Sequence, residues 1–286
     1  MMLRQILKRK RPPEQYLLMT AIGMFAIIWV LPLAIVLLNS MKTAMEQSQT
    51  SVLALPQDAT MLLTNIATAA DLSGIGRGIV NSLLYSFIGS ITAVIVASSA
   101  AYAITKLRIR FRFFWFLLIY SGTIFPFQMY LVPLFQAYQS VGLYDTYAGM
   151  ILFYSTISVP FCLFVFHNYF IGLPNEVIEA SSLDGASSFQ TYLRIILPMA
   201  KAPALVLFVT QFNWIWNDFL FGQVLSKSET VRPVMTSLAT LSGMFGTGTI
   251  PQQMAGALIA SIPTLILFFA LQKYFMNGIV LNTAGE

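Results

Sequence analysis

The chain is short of charge. Only 9% of its 286 residues are Asp, Glu, Lys or Arg, against about 25% in an ordinary soluble domain. Hydrophobic residues make up 57%, and the mean hydropathy is +0.74. So few ionic groups cannot clothe a water-soluble globule of this size. The composition therefore predicts an all-α integral membrane protein. Cysteine and histidine occur once each. Cys162 alone makes no intrachain disulfide, and a zinc site of clustered thiolates is excluded. His167, near the end of an apolar run, is expected to be a packed or interfacial imidazole. No G-x-x-x-x-G-K-[ST] stretch is present, so the chain has no phosphate cradle of that kind. Gly74, Gly76 and Gly78 match no dinucleotide spacing and read as a turn. With no catalytic triad, paired catalytic carboxylates or metal cluster, no enzymatic chemistry is expected of this polypeptide.

What the chain does have is long apolar runs, at 16–39, 79–104, 113–136, 147–171, 203–225 and 254–275. Each is long enough to cross a bilayer as a helix of about 20 residues, which predicts six spans. Lys8, Arg9, Lys10 and Arg11 precede the first run as in a signal peptide. That run is too long for an h-region and lacks a small-residue cleavage site, so it is expected to stay as an anchor. The 16 basic residues predict an orientation. With the N-terminus inside, Arg4, Lys8–Arg11, Lys106, Arg108, Arg110, Arg112, Arg194, Lys201 and Lys273 face the cytoplasm; only Lys42, Arg77, Lys227 and Arg232 lie outside. The positive-inside rule then places both termini in the cytoplasm. The sequence pI of about 9.3 needs no nucleic-acid partner, because lipid headgroups account for the basic residues.

Between the spans, Thr43-Ala-Met-Glu46 fits a capping box that starts a short surface helix. Pro126 and Pro133 in the third run and Pro160 in the fourth remove backbone donors and are expected to bend their helices. The glycine-rich stretch 241–253 reads as an adaptable or slack outer loop.

One stretch breaks the apolar pattern: "EASSLDGASSFQTYLRIILP", 179–198. Glu179, Asp184 and Arg194 would cost roughly 3 kcal/mol each at a span centre, against about 3 to 4 kcal/mol returned by all its apolar side chains. The segment must lie in water or against a protein. Gly172-Leu173-Pro174 ends the fourth span and places a proline in the first turn of a new helix. Gly185 breaks that helix, and Ser187-Ser-Phe-Gln190 restarts it with a second capping box. Two short helices are predicted. Glu176 and Glu179 share a face of the first, and Val177, Ala180 and Ser181 offer a small, close-packing surface. In the second, Phe189, Tyr192, Leu193 and Ile196 recur at helical spacing and are expected to pack. Pro198 stops it. A solvated surface loop and a helix docked in a partner's groove both satisfy these spacings.

The same residues resemble a known signature. Glu179-Ala180-Ser181, then Gly185, then Ile195-Ile196-Leu197-Pro198 is similar, at the family spacing throughout, to the cytoplasmic "EAA" loop of binding-protein-dependent ABC importer permeases. Ser181 in place of the second alanine is the only departure. "PLFQAYQSVGLYDTYAGMIL" and "FNWIWNDFLF" extend the likeness from about Ile75 to Ile279, within the carbohydrate-uptake subgroup and its six-span maltose-type partner. The C-terminus departs, since Asn282-Thr283-Ala284-Gly285-Glu286 replaces the usual glycine-rich tail. The resemblance implies a type I importer permease fold. Its parts would be an N-terminal tail at 1–15, a first span at 16–39, an extracytoplasmic segment at 40–74, a permease core at 75–279 with its loop at 172–198, and a tail at 280–286. It implies a second permease subunit, two ATPase subunits and an extracytoplasmic solute-binding protein as partners, with ATP and Mg held by the ATPases and no cofactor on this chain. It also implies a bacterial or archaeal cytoplasmic membrane. Glu176, Glu179, Ala180, Ser181, Asp184 and Gly185, with Ile195, Leu197 and Pro198, would couple to the ATPase.

For the solute pathway the candidates are Asn213, Trp216, Asn217 and Asp218. Amides and aromatic faces suit sugar rings, and the same residue types serve as interfacial anchors. Both readings stay open, as does the solute, a carbohydrate or a glycerol phosphate. The rivals are an ion-driven secondary transporter, which would place ionisable groups at the bilayer midplane, and a membrane scaffold that transports nothing.

Overall fold

A backbone in lipid must satisfy its own N–H and C=O groups, so apolar runs of this length fold as helices. The computed structural model describes residues 13–242 and 246–283, and among them every regular element is helical. Arg4, Lys8–Arg11, residues 243–245 of the glycine-rich stretch and the last three residues lie outside the described part. Four helices are long and apolar enough to cross a membrane, 14–40, 75–106, 147–171 and 250–270; two bent pairs, 112–123 with 127–140 and 188–199 with 201–216, bring the number to six if each pair is one span.

The chain divides into two compact units. The first takes in the described part of 1–72 together with 247–259. It opens with α1 (Pro13–Ser40), whose first residue is a proline where a missing N–H costs nothing. Polar bonds then fold the following segment back. Lys42 Nζ donates to the Ser51 carbonyl at 2.8 Å, and Asn65 Nδ2 donates to the carbonyls of Ser40 and Lys42, both at 2.9 Å. Thr43 caps α2 (Ala44–Gln49), accepting from Glu46 N at 3.1 Å. The expected capping box forms only by half, because the Glu46 carboxylate instead accepts from Gln57 N at 2.8 Å. Helix α3 (Met61–Ser73) ends this part.

The second unit comprises 73–246 and 260–286. Here α4 (Ile75–Lys106) starts directly after Gly74, which holds φ +63°. Only Gly74 acts as the expected turn. Gly76 and Gly78 are helical, and a Cβ on Gly78 would sit 2.7 Å from Ser237 Oγ and 3.0 Å from Val234 Cα, so that glycine permits a close approach. Next come α5 (Arg112–Tyr120), a bend of 90° around Pro126, and α6 (Leu131–Ser140). In α7 (Tyr147–Ile171) Pro160 lies inside one uninterrupted helix.

Small residues on α4 let α7 approach closely, as membrane helices require where no hydrophobic force separates helix from lipid. Ala93, Ala97 and Ala101 are fully buried against Cys162, Leu163, Phe166 and Phe170. A Cβ on Gly89 would lie 3.2 Å from that of Tyr154. His167 stacks on Phe116 with centroids 4.1 Å apart, a packed imidazole as expected.

The polar interruption forms α8 (Glu176–Leu183), α9 (Ser188–Thr191), a π-helical turn at Tyr192–Ile196 and α10 (Leu197–Met199). Then follow α11 (Lys201–Trp216), α12 (Leu220–Leu225), α13 (Val234–Ala239) and α14 (Ile250–Thr283). The expected span at 203–225 is therefore corrected: α11 stops at Trp216. Asp218 is the cause, because its Oδ2 accepts from Gly222 N at 3.0 Å and satisfies an orphan amide at the start of α12.

Candidate functional site

The loop from 172 to 200 is built by local rules. Pro174 precedes the N-cap Asn175 rather than entering the first turn as expected. Glu176 and Glu179 then occupy the first turn of α8, where negative charge suits the helix dipole. The helix closes in a Schellman motif. Gly185 N donates to the Ser182 carbonyl and Ala186 N to that of Ser181, at 3.1 and 3.0 Å, while Gly185 holds φ +79°, a conformation natural to glycine. The second capping box forms in full: Ser187 Oγ accepts from Gln190 N at 3.3 Å, and Gln190 Oε1 accepts from Ser187 N at 2.9 Å.

Ser181, the residue that departs from the family pattern, is buried and clips the two helices together. Its hydroxyl lies 2.9 Å from Thr191 Oγ1 and donates to the Ile178 carbonyl at 2.8 Å. The expected packing face of the second helix is corrected in register. Tyr192 and Ile196 are buried, but Phe189 and Leu193 are 68% and 44% exposed. A π turn follows: Pro198 has no N–H and its ring conflicts with the Arg194 carbonyl, so the ladder widens, Leu197 N donating to the Tyr192 carbonyl. The helix then bends by 75° into α11.

A stripe on α4 holds this loop. Ser98, Tyr102 and Lys106 follow one another at i, i+4 spacing and so share a face. Ser98 Oγ pairs with Tyr192 OH at 2.7 Å, Tyr102 OH donates to the Ser188 carbonyl at 3.1 Å, and Lys106 Nζ donates to the Leu173 carbonyl at 2.7 Å and to Asn175 Oδ1 at 2.9 Å. The Tyr102 and Tyr192 rings add a contact at 5.4 Å. These bonds end on Leu173, Asn175, Ser188 and Tyr192, on either side of α8, and none ends on α8 itself. In front, Glu176, Glu179, Ala180 and Asp184 are exposed, and Leu183 is 89% exposed. No carboxylate of the three is hydrogen-bonded among the described residues. Ile195 and Leu197 are half-buried and Pro198 is exposed.

The pathway candidates separate. Trp216 is fully buried, its Nε1 donating to the Ala260 carbonyl at 3.1 Å. Asp218 is occupied, accepting from Tyr154 OH at 2.8 Å besides capping α12. Asn213 and Asn217 are exposed and bonded to each other, Asn217 Nδ2 reaching Asn213 Oδ1 at 3.1 Å. One turn away, Gln211 and Trp214 line a cavity of about 300 Å³ with Phe127, Phe161 and Thr210.

Residues 89–280 match the family described as binding-protein-dependent transport system inner membrane component. The chain belongs to that family. Among relatives of this permease, the osmoprotective compounds uptake permease protein GgtD of Synechocystis is 32% identical over 266 residues, 91% of this chain and 89% of that protein. The alpha-glucoside transport system permease protein AglG of Rhizobium meliloti is 35% identical over 76% of this chain, a match that spans 59% of the relative's length. A chain in the crystal structure of a bacterial ABC transporter involved in the import of the acidic polysaccharide alginate superposes with a TM-score of 0.78 over 93% of this chain and 98% of that one, at 22% identity. The type I permease fold is thereby established, with the polar loop inside the matched region.

Sequence reasoning missed the stripe on which the permease hangs its loop. A signal was present: a serine, a tyrosine and a lysine every fourth residue in the last part of α4.

Proposed function

We propose that this permease forms half of the translocation pathway of an importer for a sugar or oligosaccharide, and that α8 is the element by which a separate ATPase drives it. The working assembly would hold a second permease subunit, two ATPase subunits that carry ATP and Mg, and an extracytoplasmic solute-binding protein, in a bacterial or archaeal cytoplasmic membrane with both termini inside. The observation that carries this reading is the two-sidedness of the loop: an exposed front of Glu179, Ala180 and Leu183 between flanking residues that are bonded to α4. A helix held through its flanks and exposed in front is suited to a groove on a partner.

The mechanism follows from that geometry. When the ATPases close on ATP, α8 moves with them. Ser98, Tyr102 and Lys106 pass the displacement to α4, and the close α4–α7 contact at Gly89, Ala93 and Ala97 allows little slip. The spans then exchange between two packed arrangements, inward-open and outward-open, and the nucleotide biases the balance between them. The carbohydrate reading is supported by the alpha-glucoside relative and by the amides and rings of Gln211, Asn213, Trp214 and Asn217. Uptake of an osmoprotective compound is the second reading, favoured by the Synechocystis relative.

Copurification with a nucleotide-binding subunit, followed by ATP-dependent uptake of an α-glucoside in proteoliposomes, is the test. Ion-driven flux without any ATPase subunit would establish the secondary transporter instead, and a complex with neither activity would leave a scaffold.

A further inference from the structure

The connection between α4 and α5, "KLRIRFR" at 106–112, carries four cations in seven residues, and only Lys106 has a task in the coupling loop. Arg108 and Arg112 have no protein partner among the described residues, and Arg110 has only the ring of Phe111, 4.9 Å from its guanidinium carbon. These side chains line an open groove of about 1200 Å³ whose opposite wall is α8, through Ile178, Glu179, Ser182 and Leu183. Four positive charges face one negative charge there. The groove shares Lys106, Arg112, Phe113 and Asn175 with a slot of about 370 Å³ whose remaining wall includes Ile104, His167 and Ile171. A cationic mouth thus narrows into a slot that is partly apolar.

Directly after the mouth, α5 exposes Phe113, Phe114, Trp115 and Leu118 by 68, 57, 46 and 52%. Apolar and aromatic side chains on the outside of a membrane protein mark where headgroups give way to hydrocarbon. The cations therefore sit at headgroup level, with the slot on the hydrocarbon side. Guanidinium groups hold phosphate by paired N–H bonds, and basic pockets between spans on the cytoplasmic side take anionic headgroups.

We propose that this groove binds the headgroup of an anionic phospholipid, with its phosphate held by Arg108, Arg110 and Arg112 and an acyl chain lying along Phe113 and Ile171. A free phosphate would meet the same cations, but it would make no use of the slot. Because α8 forms the other wall, a bound lipid touches the coupling loop, and the charge of the membrane acts on the same element as the ATPase. The cytoplasmic leaflet as the source of the lipid rests on the orientation proposed above.

The test uses the purified whole transporter, equilibrated with phosphatidylglycerol or phosphatidylcholine and read by native mass spectrometry for retained lipid. The wild type is expected to retain about tenfold more phosphatidylglycerol than R108Q/R110Q/R112Q, with equal phosphatidylcholine on both, and inorganic phosphate should not displace the lipid. The single variants R108Q and R110Q, each expected to lose about threefold, decide the matter if the triple variant does not insert. Equal retention by wild type and variants overturns the proposal. So does full displacement by inorganic phosphate, which would make this a site for a free anion. Loss of the ATPase subunits from the variants with lipid retention unchanged also overturns it, by making the groove a protein-docking surface. Arginine-dependent lipid retention on a preparation that never carries an ATPase would contradict the proposed function and leave this inference standing.

Discussion

Two loop regions of the second unit use similar residues to opposite ends. Around Asp145 the polar groups bond to one another. Asp145 Oδ1 accepts from the amides of Lys227 and Ser228 at 2.8 and 2.9 Å and from Ser228 Oγ at 3.0 Å, while Asn81 Nδ2 donates to the carbonyls of Thr230 and Arg232 at 2.9 and 3.0 Å. Tyr85 OH closes the cluster on the Val231 carbonyl at 2.8 Å. Around α8 the backbone turns are closed by local bonds, yet among the described residues the carboxylates of Glu176, Glu179 and Asp184 accept no hydrogen bond. A carboxylate spent on neighbouring amides holds a structure together. One left open beside an exposed Leu183 is available to a partner. Substitutions should therefore act on stability in the first region and on transport in the second.

The largest expected effect is that of Glu179→Ala. Loss of one member of a desolvated charge pair costs about 3–5 kcal/mol, so uptake should fall by roughly 100-fold or more, while the melting of the permease, with an exposed side chain removed, shifts by no more than about 0.5 kcal/mol. Next, Asp145→Ala should destabilise the permease by about 1.5 kcal/mol, because the Lys227 and Ser228 amides lose a charged acceptor, with uptake per folded molecule retained. Denaturation in detergent beside a transport assay reads both; a Glu179 variant that melts early, or an Asp145 variant that folds normally but does not transport, would reverse the contrast. Gly185→Asp should cost about 1 kcal/mol, since a side chain must enter the left-handed region, and it should uncouple ATP hydrolysis from uptake by tilting α8. Ser181→Ala should cost about 1 kcal/mol at most by losing the Thr191 bond, with transport near normal; a double-mutant cycle with Thr191→Val measures the pair.

The smallest effect is of pH. Burial pushes the Asp145 carboxyl up, but the amides of Lys227 and Ser228 outweigh it and hold it below the usual carboxylate range. A depressed native value contributes stability that is fully present above the unfolded value of about 3.9 and is lost as pH falls through the native value. Acid titration of melting should show a step below about pH 4 that Asp145→Asn removes.

What could be read from the sequence followed from how local its cause is. The division of the polar stretch at Gly185 and the restart at Ser187 were legible because a turn and a capping box are written within four residues. The family signature was legible for the same reason, as a spacing within twenty. The break after Trp216 was missed because hydropathy counts Asp218 as one charge in an apolar run, whereas its carboxylate starts a new helix. Phe189 and Leu193 fall outside the packed face because an ideal period counts every apolar residue at that spacing, whereas only Tyr192 and Ile196 meet the buried cluster. The Ser98, Tyr102 and Lys106 anchors and the Asp145 cluster join residues tens of positions apart, and no local pattern names both partners of such a bond.

The central claim is that α8 presents its exposed face to a cytoplasmic ATPase while the residues that flank it, Leu173, Asn175, Ser188 and Tyr192, are tied to α4. It is tested most directly by Leu183→Cys, with the buried Cys162 replaced by serine, in membranes sealed with known sidedness. A membrane-impermeant maleimide should label position 183 from the cytoplasmic side alone, rapidly in the isolated permease and at least about tenfold more slowly once the ATPase subunits are bound, as burial of the thiol in an interface requires. Labelling from the external side, or at an unchanged rate in the assembled complex, would contradict the account.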